Sequence, residues 1–220
     1  FNVEDILKML LDLRRDTILE LTKDFIKDND NITDSPDVHE LPGKEHYYFL
    51  AAFSMQLKKC KIIELGTHCG RSAIALNYGN LKMDNQNTIY TYDIKNHITN
   101  ELFKGTNINY KLEDLFNPII REHNREHILS SDIIFIDVDP HEGTVEYDMY
   151  IWLKNNNYKG LILYDDIHLD EGHYGVYTGN SMKKFWSKVD NNHKIDLTTV
   201  GHWSGTGLVC FNFNEHTIIM

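Results

Sequence analysis

Cysteine is scarce in this 220-residue chain: Cys60, Cys69 and Cys210 stand apart at unrelated spacings. They build neither a disulfide framework nor a paired zinc knuckle, a usage that suits a reducing, cytoplasmic compartment. Proline is nearly as rare, with four in the whole chain. There is no Pro/Gly/Ser linker, no internal repeat and no low-complexity tract, so nothing divides the chain into separate beads. No apolar run approaches the roughly 20 residues that a transmembrane helix needs, and no stretch reads as a signal peptide. Basic residues are outnumbered 22 to 33, for a net charge of −11 and a pI near 5.5. An acidic chain without a basic stripe is poorly suited to nucleic acid or to an anionic membrane. Hydrophobic residues at 41% and charged residues at 25% leave an ordinary soluble composition, sufficient for a proper core.

Residues 1–59 read as a helical lead-in, and 60–220 as the principal domain. Over Asn2–Asp28, Ile6, Leu10, Leu13, Leu21 and Phe25 form one stripe at helical spacing, behind Glu4 and Asp5 in the first turn. Asn29–Gly43 is polar, carries Pro36 and Pro42, and reads as a loop. Lys44–Lys59 returns to a helix through Tyr48, Ala51, Ala52 and Met55. From Lys61 onward, short apolar runs alternate with amphipathic stretches: KIIELG with RSAIALNYG, TIYTYDI with HITNELFKG, INYKL with NPIIREHNREHIL, then DIIFIDV and a helix through Tyr150 and Leu153. YKGLILYDDI, SMKKFWSKV, HKIDLTTV and GLVCFNF complete the series. Apolar runs that do not alternate with polar residues are strands buried on both faces. The expected fold is α/β: a Rossmann-like, doubly wound, mostly parallel seven-stranded sheet preceded by N-terminal helices. In such sheets ligands bind beyond the carboxyl ends of the strands.

The first strand runs into Glu64-Leu65-Gly66-Thr67-His68-Cys69-Gly70-Arg71-Ser72. Gly66 and Gly70 allow a tight turn with room for a ligand, and a helix starting near Ser72 turns its free N–H groups toward it. The spacing E-x-G-x-x-x-G is neither the dinucleotide G-x-G-x-x-G nor the phosphate-loop G-x-x-x-x-G-K. The second strand ends at Asp93, whose carboxylate can accept hydrogen bonds from vicinal ribose hydroxyls. Over Lys61 to about Asn214 the chain thus resembles the class I S-adenosylmethionine-dependent methyltransferases. The resemblance implies that Glu64, Gly66, Thr67, Gly70 and Ser72 form the turn around the methionine end of S-adenosylmethionine. By the same resemblance Asp93 holds the ribose, and Glu113 or Asp114 meets the adenine.

The fourth run, DIIFIDVDP, delivers Asp137 and Asp139, expected on one side because strand side chains alternate. The fifth, LILYDDI, ends in Asp165 and Asp166. Four acids at neighbouring strand ends repel one another unless a cation compensates, and Mg²⁺ or another hard divalent ion suits oxygen ligands. At this point the chain resembles the metal-dependent O-methyltransferases, and among them those that act on sugar hydroxyls. Their D-x-D-x-Y-x-S-T pattern is met by Asp137, Asp139 and Thr144, with His141 at the Tyr position and Gly143 at the Ser position, and Asp165-Asp166 follow. The resemblance implies metal ligands at Asp137, Asp165 and Asp166 and a general base at Asp139 or at His141. It also implies a sugar or nucleotide-sugar acceptor, and oligomers through the N-terminal helices, which the apolar stripe would permit.

Other features divide between chemistry and structure. His168–Asn180, rich in Gly, Tyr and His, reads either as a substrate cover or as a plain surface connection. Gly201–Gly207 reads as a hairpin turn, with Trp203 available to line the pocket mouth. His123 and His127 stand four apart, but among Arg121, Glu122, Arg125 and Glu126 they look like a solvated face rather than a zinc site. Cys69 reads as a small buried filler. Rival readings are an NAD-dependent oxidoreductase, since Asp93 also suits an NAD ribose, a non-catalytic binding protein that keeps the fold, and a methyltransferase acting on protein or RNA.

Overall fold

The computed structural model describes residues 2–29, 45–98, 101–173, 175 and 177–212. Seven strands form one sheet: β1 (Lys61–Leu65), β2 (Thr88–Asp93), β3 (Ile108–Leu112), β4 (Ile133–Ile136), β5 (Leu161–Asp165), β6 (Lys194–Asp196) and β7 (Thr206–Val209). Their spatial order is β3-β2-β1-β4-β5-β7-β6. The first five are parallel, whereas β7 runs antiparallel between β5 and β6, so the sheet is mixed.

Period-two alternation explains how the short apolar runs serve two faces at once. Ile62, Ile133, Phe135, Leu161 and Leu163 point into one core. Their neighbours Ile63, Ile134, Ile136, Ile162 and Tyr164 point into the other. The first core is covered by α4 (Glu45–Gln56) and α5 (Arg71–Met83), which meet through Ala51, Ala52, Phe53, Ala73, Ala75 and Leu76. The second is covered by α8 (Thr144–Asn155) and α9 (Met182–Lys188) through Met149, Tyr150, Leu153, Phe185 and Trp186.

The N-terminal stripe is real, but it is not one helix. It divides into α1 (Val3–Asp12), α2 (Arg15–Leu21) and α3 (Phe25–Asp28). Leu13 and Arg14 are extended, and the Arg14 guanidinium donates to the Leu11 and Leu13 carbonyls at 3.0 and 3.1 Å, satisfying the end of α1. The break lets Leu7, Leu10, Leu13, Ile18 and Phe25 all reach the first core. Phe25 meets Tyr78 edge-on at 5.1 Å, and Asp28 accepts from the Tyr78 hydroxyl and from Lys82. The stripe expected to be open to a second copy is therefore occupied by the chain's own α4 and α5.

Two further expectations change. Between β2 and β3, the described residues 101–106 form turns rather than a helix, and Leu102 and Phe103 pack against the first core. NPIIREHNREHIL splits into α6 (Pro118–His123) and α7 (Arg125–Leu129). The break falls at Asn124, whose side-chain amide takes the Ile120 carbonyl at 3.0 Å. The loop expected over Asn29–Gly43 lies, beyond Asn29, outside the described residues. Among the described residues no helix is long and apolar enough to cross a membrane.

Leu10, 1% exposed, should cost about 2–4 kcal/mol on truncation in Leu10→Ala. Urea unfolding measures this, and an unchanged midpoint would mean that α1 does not belong to the core.

Candidate active site

β1 ends at Leu65, and the Gly66 and Thr67 amides donate to the Tyr92 carbonyl at the end of β2, at 2.9 and 3.2 Å. Gly66 takes φ +103°, and a Cβ there would stand 1.8 Å from the Asp137 carbonyl oxygen. Only glycine allows the first turn to press against the end of β4. Gly70, at φ +81°, opens α5 without a capping side chain, so the first-turn amides of the helix remain available at its positive end.

Behind this turn lies a buried polar chain. Glu64, 0% exposed, accepts from the Thr91 hydroxyl and from Ser72, and Thr91 meets Thr67 at 2.6 Å. Burial pushes the Glu64 carboxyl up to about 7, against the opposing pull of the Ser72 and Thr91 hydrogen bonds. Glu64 does not line the cavity; it fixes Ser72 and, through Thr91, Thr67, which do. Asp93 sits at the rim, where Oδ2 accepts from the His68 amide at 2.7 Å and Oδ1 from the Lys95 amide at 2.8 Å.

A cavity of about 480 Å³ opens above these strand ends. It is lined by Gly66, Thr67, Ser72, Asp93 and Asp114 and also by Asp137, Asp139, His141, Asp165 and Asp166. Asp114 Oδ1 also accepts from the Phe116 and Asn117 amides at 2.9 and 3.3 Å, and Glu113 accepts from Asn124. Asp114 thus braces the start of α6 and Glu113 the break between α6 and α7, while both face the cavity.

The acids do not form one quartet. β4 stops at Ile136, so strand alternation does not extend to Asp139, whose side chain is 82% exposed. Asp139 reaches the others only through His141, which stands 3.0 Å from Asp139 Oδ1 and 3.0 Å from Asp166 Oδ2. Asp137, His141 and Asp166 form one close group, and Asp165 forms another with His46 and His202. His141 and Asp166 both adopt left-handed backbone, at φ 58° and 61°. Non-glycine residues in that region concentrate at functional sites.

Crowded like charge sets the electrostatics here. Burial, then the charges of Asp165 and Asp166, hold the Asp137 carboxyl well above the ordinary carboxylate range. Burial also pushes Asp166 upward, but hydrogen bonds from His202 and Ser204 and the charge of His141 outweigh it and leave Asp166 below that range. Burial would lower His202, yet bonds to Asp165 and Asp166 raise it to about 10. His46, sealed from water, is lowered to about 4 despite the nearby charge of Asp165.

Two histidines and Ser204 in this site were not singled out from the sequence. His46 comes from α4 and His202 from the turn before β7; His202 Nδ1 lies 3.1 Å from both oxygens of Asp165 and 2.8 Å from Ser204 Oγ. The available signal was the Gly201–Gly207 turn, which does close the β6–β7 hairpin, next to β5. Its cavity-lining residue is His202, whereas Trp203 is half-exposed outside the cavity wall. In the loop after β5, Glu171, Gly172 and His173 approach His141 across a cleft of about 10 Å³, too small for a ligand. His127 packs edge-on against Tyr90 at 4.5 Å, and no metal-ligand group among the described residues includes it or His123.

Residues 63–167 match a sequence family described as a methyltransferase domain. None of the curated proteins matches the chain by sequence. Solved structures do. The SAH-bound methyltransferase PaMTH1 of Podospora anserina superposes with a TM-score of 0.57 at 16% identity, over 89% of this chain and 87% of its own. MycE, from the mycinamycin biosynthetic pathway and solved with Mg, SAH and mycinamycin VI, gives 0.56 at 14%, over 88% of this chain. This chain spans about half of MycE, 54% of its length. The O-methyltransferase TomG of Streptomyces achromogenes, involved in tomaymycin synthesis and solved with SAM, gives 0.54 at 14%, over 94% and 95%. At these identities the similarity is one of fold, and that fold is the class I methyltransferase fold.

Glu64 generates a pH signature. Its folded value of about 7 lies above the ordinary 4.5, so the proton is held more tightly in the folded state. The stability it confers is complete below pH 4.5 and is lost as pH rises toward 7, by about 3 kcal/mol. Glu146, also raised to about 7 by burial, titrates in the same window. Comparing denaturant midpoints of the natural chain and Glu64→Gln from pH 4.5 to 7.5 isolates the first contribution; parallel curves would refute it.

Proposed function

We propose that this chain transfers a methyl group from S-adenosylmethionine to a hydroxyl oxygen of a small acceptor, a sugar or other small polyol, at a site that also holds a divalent cation. The observation that carries the reading is the single cavity joining the glycine turn and Asp93 to the Asp137–Asp165–Asp166 mouth. Its volume of about 480 Å³ falls within the range of small-molecule sites. The fold family adds support, as does the Mg, SAH and macrolide ligand set of MycE.

The residues present fit both groups. Gly66 leaves backbone, not side chain, beside the donor, Gly70 packs against Leu102 and Phe103 and does not line the cavity, and the uncapped first turn of α5 favours the donor's carboxylate. Asp93, anchored by two amides, keeps lone pairs for the ribose hydroxyls. Asp114, with Oδ1 committed to the α6 turn, offers Oδ2 toward the adenine. Asp137, Asp165 and Asp166 all line the same cavity, Asp137 and Asp166 grouped with His141 and Asp165 with His46 and His202, and from there they would hold the cation, whose charge offsets crowded carboxylates. When bound, such a cation acts as a Lewis acid that makes an acceptor hydroxyl more acidic.

The reaction is a direct displacement. The acceptor oxygen forms a bond to the methyl carbon as the carbon–sulfur bond breaks, and the bonding pair stays on sulfur. The Asp139–His141 pair receives the hydroxyl proton; Asp166 steadies the imidazole from its other side. The cavity walls orient both reactants, which supplies most of what a displacement without a covalent intermediate requires.

S-adenosylhomocysteine titrated calorimetrically should bind the natural chain, and Asp93→Ala should weaken it by about tenfold or more. Absence of binding would overturn the reading. With labelled donor and a panel of deoxysugars and nucleotide sugars, Asp165→Asn should lose about a hundredfold or more in turnover while keeping its cofactor affinity. Undiminished turnover in that variant, or in excess chelator, would discard the cation.

A further inference from the structure

The site contains two imidazoles that the methyl-transfer reading does not use. His46 is 6% exposed and lines the cavity, and its Nδ1 is sealed from solvent without a hydrogen-bond partner. His202 Nε2 is likewise buried and unpartnered. A buried polar atom left unbonded costs about 1–3 kcal/mol, and here two of them come from rings 4.5 Å apart. One ligating atom each of His46, Asp165 and His202 lie within 4.8 Å of one another. Three separate elements supply them: the start of α4, the end of β5 and the turn before β7. Ser204 Oγ, 2.8 Å from His202 Nδ1, and Asp165, 3.1 Å from it through both oxygens, fix that ring and leave Nε2 as its unbonded nitrogen.

We propose that His46, Asp165 and His202 form a binding site for a divalent transition-metal ion. The inference deepens the cation part of the proposed function and rests on it to that extent: it names which ion this mouth prefers and narrows its protein ligands to Asp165 and two imidazoles. Two imidazoles with one carboxylate make a donor set suited to Mn²⁺, Fe²⁺, Co²⁺ or Zn²⁺. Mg²⁺ instead favours oxygen ligands and keeps several waters. Asp137, His141 and Asp166, the neighbouring group, remain beside the ion and face the acceptor.

The probes are Co²⁺, Mn²⁺ and Mg²⁺ added singly to the full chain after exhaustive chelation. Isothermal titration should give Co²⁺ at least about tenfold tighter binding than Mg²⁺. Pulsed electron paramagnetic resonance of the Mn²⁺-loaded chain should show ¹⁴N couplings from directly bound imidazole. His46→Gln and His202→Asn should each weaken Co²⁺ by about tenfold to a hundredfold and move Mg²⁺ much less. Because the Mn²⁺ spectrum uses the natural chain, the test survives a variant that fails to fold. Metal bound without ¹⁴N couplings overturns this inference and leaves the cation of the proposed function intact. No metal bound at all, with S-adenosylhomocysteine still binding, overturns both the inference and the cation but not methyl transfer.

Discussion

Three carboxylates delivered to one cavity mouth by the ends of β4 and β5 must be offset by positive charge or protonation, and much of the mouth follows from that requirement. The Asp137 carboxyl is held well above the ordinary carboxylate range, whereas His202, His141 and Ser204 hold Asp166 below it. Those partners come from the β4–α8 connection and the β6–β7 turn, so the charge problem at two strand ends dictates where two distant loops lie. A resident cation would act in the same way, and its place would then be set by the same electrostatics.

The mouth is tied to the glycine turn by backbone as well as by charge. Gly66 lies so close to the Asp137 carbonyl that no side chain fits between them. The glycine turn and the acid cluster are therefore parts of one joint at the point where the sheet order reverses between β1 and β4. Such switch points are where open α/β sheets bind their ligands. Glu64 serves this joint from behind, converting a carboxylate that never meets the cavity into a clamp on Ser72 and Thr91.

Much of this was legible in the residues. Unalternating apolar runs announced strands covered on both faces, and β1, β4 and β5 follow them closely, because local hydrophobic pattern and final burial agree there. Gly66, Asp93, Asp137, Asp165 and Asp166 were legible for a related reason: each sits at a strand end, where a ligand must approach an α/β sheet. The N-terminal helices were legible in their apolar stripe but not in their breaks, since Leu13 and Arg14 turn the chain to satisfy packing and terminal carbonyls rather than any local signal. Asp139 was misplaced by extending strand geometry one residue pair past the point where β4 ends.

His46 and His202 mark the boundary most clearly. Nothing in KEHYYF or GHWSG sets either histidine apart, for the two are separated in sequence by β1 to β6 and meet only where the start of α4 comes against the turn before β7. Sequence alone determined the layers of the sheet, the ligand-facing turn and the acids at its strand ends, because those depend on pattern within a few residues. Tertiary structure alone decided which imidazoles face those acids and which acid stays outside, because that depends on non-local packing across the two cores.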